Sequence, residues 1–131
     1  MITCKVTIDQ AALQQIYEKA DRAIVMTAED LQADVEKHDL MPYYSGESEK
    51  GTFVKPAGDR KAVIMTPAYY AKWNYFKDIC WYTQEPFRKT HNKNAQGHWW
   101  DAYLDGKAYG FDIAKSFKKN MTILFGGGKN Q

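Results

Sequence analysis

The sequence predicts an α+β domain: a small antiparallel β-sheet of three to four strands, covered on one face by one long N-terminal helix, with short C-terminal helices. Two kinds of pattern predict it. Residues 2–8 and 51–66 show the alternation and the turn residues of strands, and residues 10–38 show the three- and four-residue apolar spacing of a helix. The chain has 131 residues, enough to bury one hydrophobic core. We therefore expect a single domain over residues 1–125 and a flexible C-terminal tail over residues 126–131.

The first strand is expected at the N-terminus. Side chains along a strand alternate between its two faces. In residues 2–8 one face would carry only apolar groups, namely Ile2, Cys4, Val6 and Ile8. Asp9 follows this run, and its carboxylate is suited to accept hydrogen bonds from the first N–H groups of a helix.

The long helix is predicted from Gln10 to about His38. Its apolar stripe consists of Leu13, Ile16, Tyr17, Ala20, Ile24, Thr27, Ala28, Leu31 and Val35. Its outer face is acidic and carries Glu18, Asp21, Glu29, Asp30, Asp34 and Glu36. Pro42 cannot continue a helix, so the helical region should end before it.

A hairpin is expected after a turn-rich loop, "YYSGESEKG". The runs "GTFVK" and "KAVIMT" are rich in β-forming residues, and "PAGDR" between them holds Pro56 and Gly58. The long helix should cover this hairpin. Residues 67–76, "PAYYAKWNYF", predict a short turn of helix followed by an extended aromatic segment.

Loop and short helices are predicted for the rest of the chain. Residues 77–97 contain Pro86 and Gly97 and should be mostly loop. The run "HWWDAYLDG" predicts one short helix. The run "KAYGFDIAKSFKKNM" predicts a second helix, whose apolar side would consist of Tyr109, Ile113, Phe117 and Met121.

Composition places the chain among globular proteins. Hydrophobic residues make up 44%, charged residues 26%, and the formal net charge is +2. Cys4 and Cys80 are too few and too far apart for a disulfide framework, which favours folding in a reducing cytoplasm. No apolar run approaches the roughly 20 residues that span a bilayer, so no membrane association is expected. The first residues also lack a signal-peptide core.

The residues suited to chemistry do not form a recognisable site. His91 and His98 are too far apart for a zinc-ligand pair and have no cysteine nearby, so no metal is expected. Cys80 lies between Ile79 and Trp81, which indicates a small buried thiol rather than a nucleophile. The run "GGGK" at 126–129 does not open a helix, unlike a phosphate-binding loop. We expect neither catalysis nor a cofactor.

Nucleic-acid binding remains the alternative function. Two basic segments without acidic residues would supply the phosphate contacts: Arg88, Lys89 and Lys93 in the 86–98 loop, and Lys115, Lys118, Lys119 and Lys129 near the C-terminus. The isoelectric point of 8.4 lies below the range above about 9 that is typical of such domains. The basic segments could instead meet the acidic helix of a neighbouring copy, head to tail around a ring.

Four motifs in order give the chain a resemblance to a known group. They are "MITCKVTID" before the long helix, "MPYYSG" after it, "TPAYYAKWNYF", and "NKNAQGHWWDAYL". Together they resemble the small minor capsid proteins of tailed bacteriophages, within the wider group of head-tail joining, or tail-completion, proteins. The resemblance covers residues 1 to about 119, and residues 92–104 are its most specific part.

This resemblance implies a structural role in the virion. The protein would form a homo-oligomeric ring in the neck, join the capsid-side connector to the tail tube, and line the path by which the DNA leaves the head. Its partners would be further copies of itself and adjacent neck, connector and tail-tube proteins, with non-specific contact to genomic DNA in the channel. It would be made in the host cytoplasm and would bring no cofactor.

The segment from Pro86 to Gly97 is the expected docking element. It is polar and predicted as loop, so it should become ordered on contact with a neighbouring ring. The expected interface residues are Arg88, Lys89, His91, Asn92, Lys93, Asn94, Trp99, Trp100 and Tyr103. One of the two tryptophans should pack inward with Tyr103 or Leu104, and the other should meet a neighbour or lie over the loop. Alternatively, both complete the core of the single chain.

Overall fold

The computed structural model describes residues 2–43 and 50–126, and these form an α+β domain, which confirms the predicted fold class. In chain order the elements are α1 (Gln10–Lys37), β1 (Phe53–Pro56), β2 (Ala62–Met65), α2 (Ala71–Lys77), a 3-10 helix (Asp101–Tyr103), β3 (Lys107–Ala108), β4 (Phe111–Asp112) and α3 (Ile113–Gly126). The described strands form two antiparallel pairs, β1 with β2 and β3 with β4.

Helix α1 is the longest element and begins as predicted. Asp9 Oδ1 accepts hydrogen bonds from the N–H groups of Ala11 at 3.0 Å and Ala12 at 3.2 Å, so the expected cap is confirmed. The helix ends at Lys37, and Asp39 follows with a left-handed φ of 56°. This turn directs the chain back across the end of α1, where Leu40 and Met41 become fully buried.

Helix α3 packs along α1 through a buried polar seam. The side-chain amide of Asn120 donates to Thr27 Oγ1 and to Asp30 Oδ2, each at 3.1 Å. Ser116 Oγ donates to the same Asp30 oxygen at 2.7 Å, and Lys119 Nζ lies 3.7 Å from it. These directional bonds fix the register between the two helices, which apolar contacts alone would leave freer to slide.

The predicted hairpin is confirmed, as is its cover by α1. Phe53 pairs with Met65 and Pro56 with Ala62, and both strands contact α1. Gln32 Nε2 donates to Thr52 O at 3.0 Å, and the Arg60 N–H donates to Asp21 Oδ1 at 2.6 Å. The hairpin therefore runs along α1 from about Gln32 back to Asp21.

The main apolar core lies where the C-terminal end of α1 meets the segment around the 3-10 helix. Its buried members are Val35, Leu40, Met41, Trp99 and Tyr103. Partly buried side chains close it: Leu31 and Trp100 from the same two parts, and Tyr75 and Phe111 from α2 and β4. Residues around 99–103 thus complete the core of this domain.

The predicted N-terminal strand is wrong for the described chain. Residues 2–9 have no regular structure, and Ile2 and Val6 are 93% and 87% exposed. An extended segment becomes a stable strand only when a neighbouring strand accepts and donates its backbone hydrogen bonds. Among the described residues none is paired with this segment.

Two further predictions need correction. The aromatic segment expected to be extended forms α2, whose inward positions Ala71 and Asn74 lie one helical turn apart. Residues 107–112, expected to begin the last helix, form the β3–β4 hairpin, because Tyr109 and Gly110 both adopt positive φ in a two-residue turn. Of the expected tail, Gly126 ends α3, while residues 127–131 and most of the 43–51 loop lie outside the described residues.

Replacing Asn120 tests the polar seam. Asn120→Ala should lower the free energy of unfolding by about 1–3 kcal/mol, because Asp30 and Thr27 lose a buried donor. Urea denaturation followed by circular dichroism measures the change. Thr122→Ala is the matched control, since Thr122 is exposed on the same helix and its hydroxyl donates to Lys118 O, one turn earlier in that helix. An Asn120→Ala protein as stable as the control would contradict the role of the seam.

The loss of stability caused by Asn120→Ala should also depend on pH. Burial opposes ionisation of Asp30, but hydrogen bonds from Ser116 and Asn120 and the charge of Lys119 outweigh it and lower the Asp30 pKa from 3.8. A carboxylate with a lowered pKa stabilises the folded state above its unfolded pKa, and this contribution is lost as the pH falls through its folded pKa. The difference between wild type and Asn120→Ala should therefore narrow below about pH 3.8.

Candidate interface around residues 69–104

The loop of residues 92–98, here called the clasp, binds the chain that follows α1. Three donors of the clasp reach three backbone carbonyls: Asn92 Nδ2 to Met41 O at 2.8 Å, Asn94 Nδ2 to His38 O at 2.9 Å, and Gln96 N to Leu40 O at 3.1 Å. Backbone carbonyls in a buried turn need hydrogen-bond partners from elsewhere, because no helix or strand supplies them. The clasp supplies partners for the turn after α1.

The other side of the clasp is attached to the end of α2. The Gly97 N–H donates to Asp78 Oδ1 at 2.6 Å, and the His98 N–H donates to Tyr75 O at 2.9 Å. A Cβ on Gly97 would lie 2.8 Å from Tyr75 O and 2.9 Å from Asp78 Cα, both of them backbone atoms. The approach is too close for any side chain, so this position requires glycine.

These bonds change the expectation for the docking loop. The segment from Pro86 to Gly97 was expected to become ordered on contact with a partner, but the clasp makes its hydrogen bonds within one chain. Asn92 and Ala95 are buried, and Ala95 forms a second small core with Phe87 and Cys80. The predicted buried thiol at Cys80 is confirmed.

The two tryptophans differ in burial, but both contact the main core, as the alternative interpretation of this pair predicted. Trp99 is 3% exposed and meets Tyr75 edge to face, with ring centroids 4.8 Å apart. Its partner in the core is Tyr103, whereas Leu104 is largely exposed. Trp100 is half-buried and packs against the edge of the same core.

Two tyrosines tie this region to neighbouring carboxylates. Tyr103 OH donates to Asp34 Oδ2 at 2.6 Å, and Tyr75 OH donates to Asp101. Burial and the adjacent Asp34 raise the pKa of Tyr103 far above its usual range, and burial with the hydrogen bond to Asp101 raises the pKa of Tyr75 to about 12. Both phenols therefore remain protonated donors near neutral pH.

The histidines have structural neighbours. The His91 ring stacks on Tyr43 with centroids 3.6 Å apart, and His98 Nδ1 lies 3.2 Å from Asp101 Oδ2. Within residues 2–43 and 50–126, no three His, Cys, Asp or Glu side chains are grouped so that they could hold a metal ion.

The expected interface residues divide into two sets. The exposed ones are Arg88, Lys89, His91, Lys93 and Asn94. Asn92, Trp99 and Tyr103 are buried and hold the domain together, because their side chains are covered by residues of the same chain. Trp100 lies between the two sets. The exposed set thus lies within or just before the clasp, whose backbone is already held by bonds within the chain.

An aromatic surface around α2 was not predicted from the sequence. This aromatic patch consists of Tyr69, Trp73, Phe76, Trp81 and Tyr82. Tyr69, Phe76 and Tyr82 are 75%, 60% and 82% exposed, and Tyr69 meets Trp81 edge to face at 5.1 Å. Lys72 and Lys77 join all of these aromatic residues except Tyr82 around a surface cavity of about 330 Å³. The high density of aromatic residues in 69–82 could have predicted such a surface. The extended segment that we expected there would instead have placed alternate rings in the core.

Comparison of the chain with protein-family models, with curated proteins and with solved structures finds no match. None of the helices in the described part of the chain is long and apolar enough to cross a membrane.

Replacing Gly97 tests the clasp. Gly97→Ala should lower the free energy of unfolding by about 1–3 kcal/mol, because the backbone must move and break the bonds to Asp78 and Tyr75. Gly126→Ala is the control, since a Cβ there meets nothing within 4 Å. Thermal and urea unfolding of the two variants provide the measurement. Equal stability of both would show that the clasp tolerates a side chain and is not closely docked.

Proposed function

We propose that this protein is a structural virion component of a tailed-phage neck. It forms a homo-oligomeric ring that joins the capsid-side connector to the tail tube and lines the DNA exit path. The resemblance of the four sequence motifs supplies this identity. The observation that carries the assembly role is the aromatic patch, an exposed surface without an evident use in a solitary chain.

The composition of the aromatic patch favours a protein partner. Soluble monomers rarely expose large contiguous apolar surfaces, and aromatic residues are enriched at protein interfaces. Here Tyr69, Phe76 and Tyr82 project outward beside the half-buried Trp73 and Trp81. Tyrosine and tryptophan give large contact areas with few rotatable bonds, which limits the entropy lost on binding.

The base of the patch is rigid before any partner binds. The backbone N–H of Trp81 donates to Oδ1 of the buried Asn74 at 2.8 Å, and the backbone N–H of Cys80 donates to Glu85 O at 2.8 Å. The clasp fixes the end of α2 through Gly97 and His98. A preformed surface loses less conformational freedom on assembly than a loop that must first become ordered. Assembly then proceeds by docking of this surface.

The structure gives less support than the sequence to head-to-tail pairing between the acidic surface of one copy and the basic surface of the next. Part of the acidic face of α1 is already used within the chain: Asp30 by α3, Asp34 by Tyr103, and Asp21 by Arg60. Lys119 of the C-terminal basic segment is one of these internal partners. Fewer charges remain for a neighbouring copy.

A nucleic-acid-binding module is the second candidate. Exposed Arg88, Lys89 and Lys93 lie in the same region of the chain as the aromatic patch, and single-strand binders combine basic grooves with aromatic stacking platforms. Binding of this kind weakens steeply with salt, because phosphate contacts release counterions. Titration of short single- and double-stranded DNA across salt concentrations separates the candidates: strong salt-dependent binding by the free chain would favour the module.

Variants of the patch test the neck assignment. In an infection where the protein is supplied only as the double variant Phe76→Ser with Tyr82→Ser, joined particles counted by electron microscopy should fall about tenfold or more, since loss of interface aromatics commonly costs above 1 kcal/mol each. Ile123→Ser is the matched control, an exposed apolar residue on α3 outside the patch. Both proteins should keep the wild-type circular dichroism spectrum.

Two results would count against the assignment. Heads that acquire tails without the protein would remove its joining role altogether. Normal joining by the double variant would retain the role but place the interface elsewhere on the surface.

A further inference from the structure

The N-terminal segment of residues 2–8 has the alternating sequence of a strand but no strand partner among the described residues. Its apolar side chains alternate with Thr3, Lys5 and Thr7, and Ile2, Val6 and Ile8 are all exposed. Asp9 anchors the segment directly to α1. A strand with one apolar face gains most when it joins a sheet over an apolar surface.

The same domain offers a sheet edge with these properties. Within the described residues β2 pairs only with β1, so its other edge is open. Two surface cavities of about 250 and 270 Å³ are both lined by Ile64 of β2 and by Trp100. Neither has a lining residue from β1, which places them on the side of β2 away from its partner. Moreover, β2 contains no proline, whereas β1 ends in Pro56, which cannot donate a backbone hydrogen bond.

The segment cannot fill these two cavities in its own chain. Leu31 lines one of the cavities together with Ile64. Along the continuous helix α1, Leu31 lies about 33 Å from Asp9 at about 1.5 Å per residue. Residues 2–8, fully extended, span at most about 24 Å. A strand that fills both cavities must therefore come from another molecule.

We infer that residues 2–8 of one copy add as a third strand to the open edge of β2 in a second copy. Side chains two residues apart on one face of a strand are separated by about 7 Å, so alternate apolar residues can enter the two cavities on either side of Trp100. The opposite face, with Thr3, Lys5 and Thr7, stays in water. Ile64 and Trp100 of the acceptor gain the apolar cover that a single chain leaves incomplete.

Each copy then donates one strand and accepts one. Such a contact is heterologous and closes either as a ring or as a reciprocal pair. The inference rests on the homo-oligomeric part of the proposed function and supplies the contact between copies, whereas the aromatic patch faces other partners.

Sedimentation velocity of the full chain tests the inference. The wild type should self-associate at concentrations up to about 1 mM. Val6→Asp should weaken this association by a factor of about ten or more, because a buried carboxylate replaces an apolar side chain. Thr7→Asp is the matched control: it adds the same charge on the solvent face of the same segment and should associate like wild type.

A mixing experiment tests donor and acceptor separately. Trp100→Ala removes the wall shared by both cavities, and circular dichroism first checks that this variant is folded; if it is not, Trp100→Leu replaces it. Val6→Asp keeps an intact acceptor, and the Trp100 variant keeps an intact donor. Each alone should be monomeric, and the mixture should form a heterodimer through one intact contact.

Three outcomes would overturn the inference: a monomeric wild type, wild-type association by Val6→Asp, or no heterodimer in the mixture. None of them decides the neck assignment, which depends on whether heads gain tails in the particle assay. Conversely, tail joining that needs no copy of this protein would remove the neck role while leaving strand exchange to be judged by sedimentation alone.

Discussion

The clasp is the interaction on which the rest of the domain depends. Residues 92–98 donate to the carbonyls that follow α1 and to the end of α2, and thereby join two parts of the chain that are distant in sequence. Trp99, the residue that follows the clasp, lies in the main core. If the clasp opened, the turn after α1 and the end of α2 would both lose the hydrogen bonds that connect them. Only glycine fits at position 97, since both neighbouring atoms belong to the backbone.

Helix α1 converts this local junction into a platform for assembly. One part of it bonds to α3 through Asp30 and Thr27, another supports the hairpin through Gln32 and Asp21, and its end receives the clasp. The surfaces left over are apolar: the aromatic patch at α2 and the edge of β2. Both are held by a rigid framework, which favours binding of partners to preformed surfaces over coupled folding.

The sequence predicts the locally determined elements and misses those that depend on distant contacts. The span of α1, the Asp9 cap and the β1–β2 hairpin depend on neighbouring residues, and all three are present. The predicted apolar stripe is only partly correct, because Ile16 and Tyr17 are exposed and the buried Ala23 was not part of it. The clasp could not be predicted in this way. Side chains such as Asn92 bond to backbone carbonyls some fifty residues away, and a backbone carbonyl gives no residue-specific signal in the sequence. Tyr109 at positive φ hid the β3–β4 turn, since such turns usually carry Asn, Asp or Gly. The N-terminal strand was predicted from a true alternation, but its partner is missing from the described residues.

Hydrogen exchange of backbone amides in the isolated, monomeric protein tests the clasp most directly. The N–H groups of Gln96, Gly97 and His98 are all bonded within one chain, at 3.1, 2.6 and 2.9 Å. They should exchange as slowly as the amides in the middle of α1, because both open only when the core opens. Exchange of these three amides at the rate of an unstructured peptide, while α1 stays protected, would contradict the account and return the segment to the role of a loop ordered only by a partner.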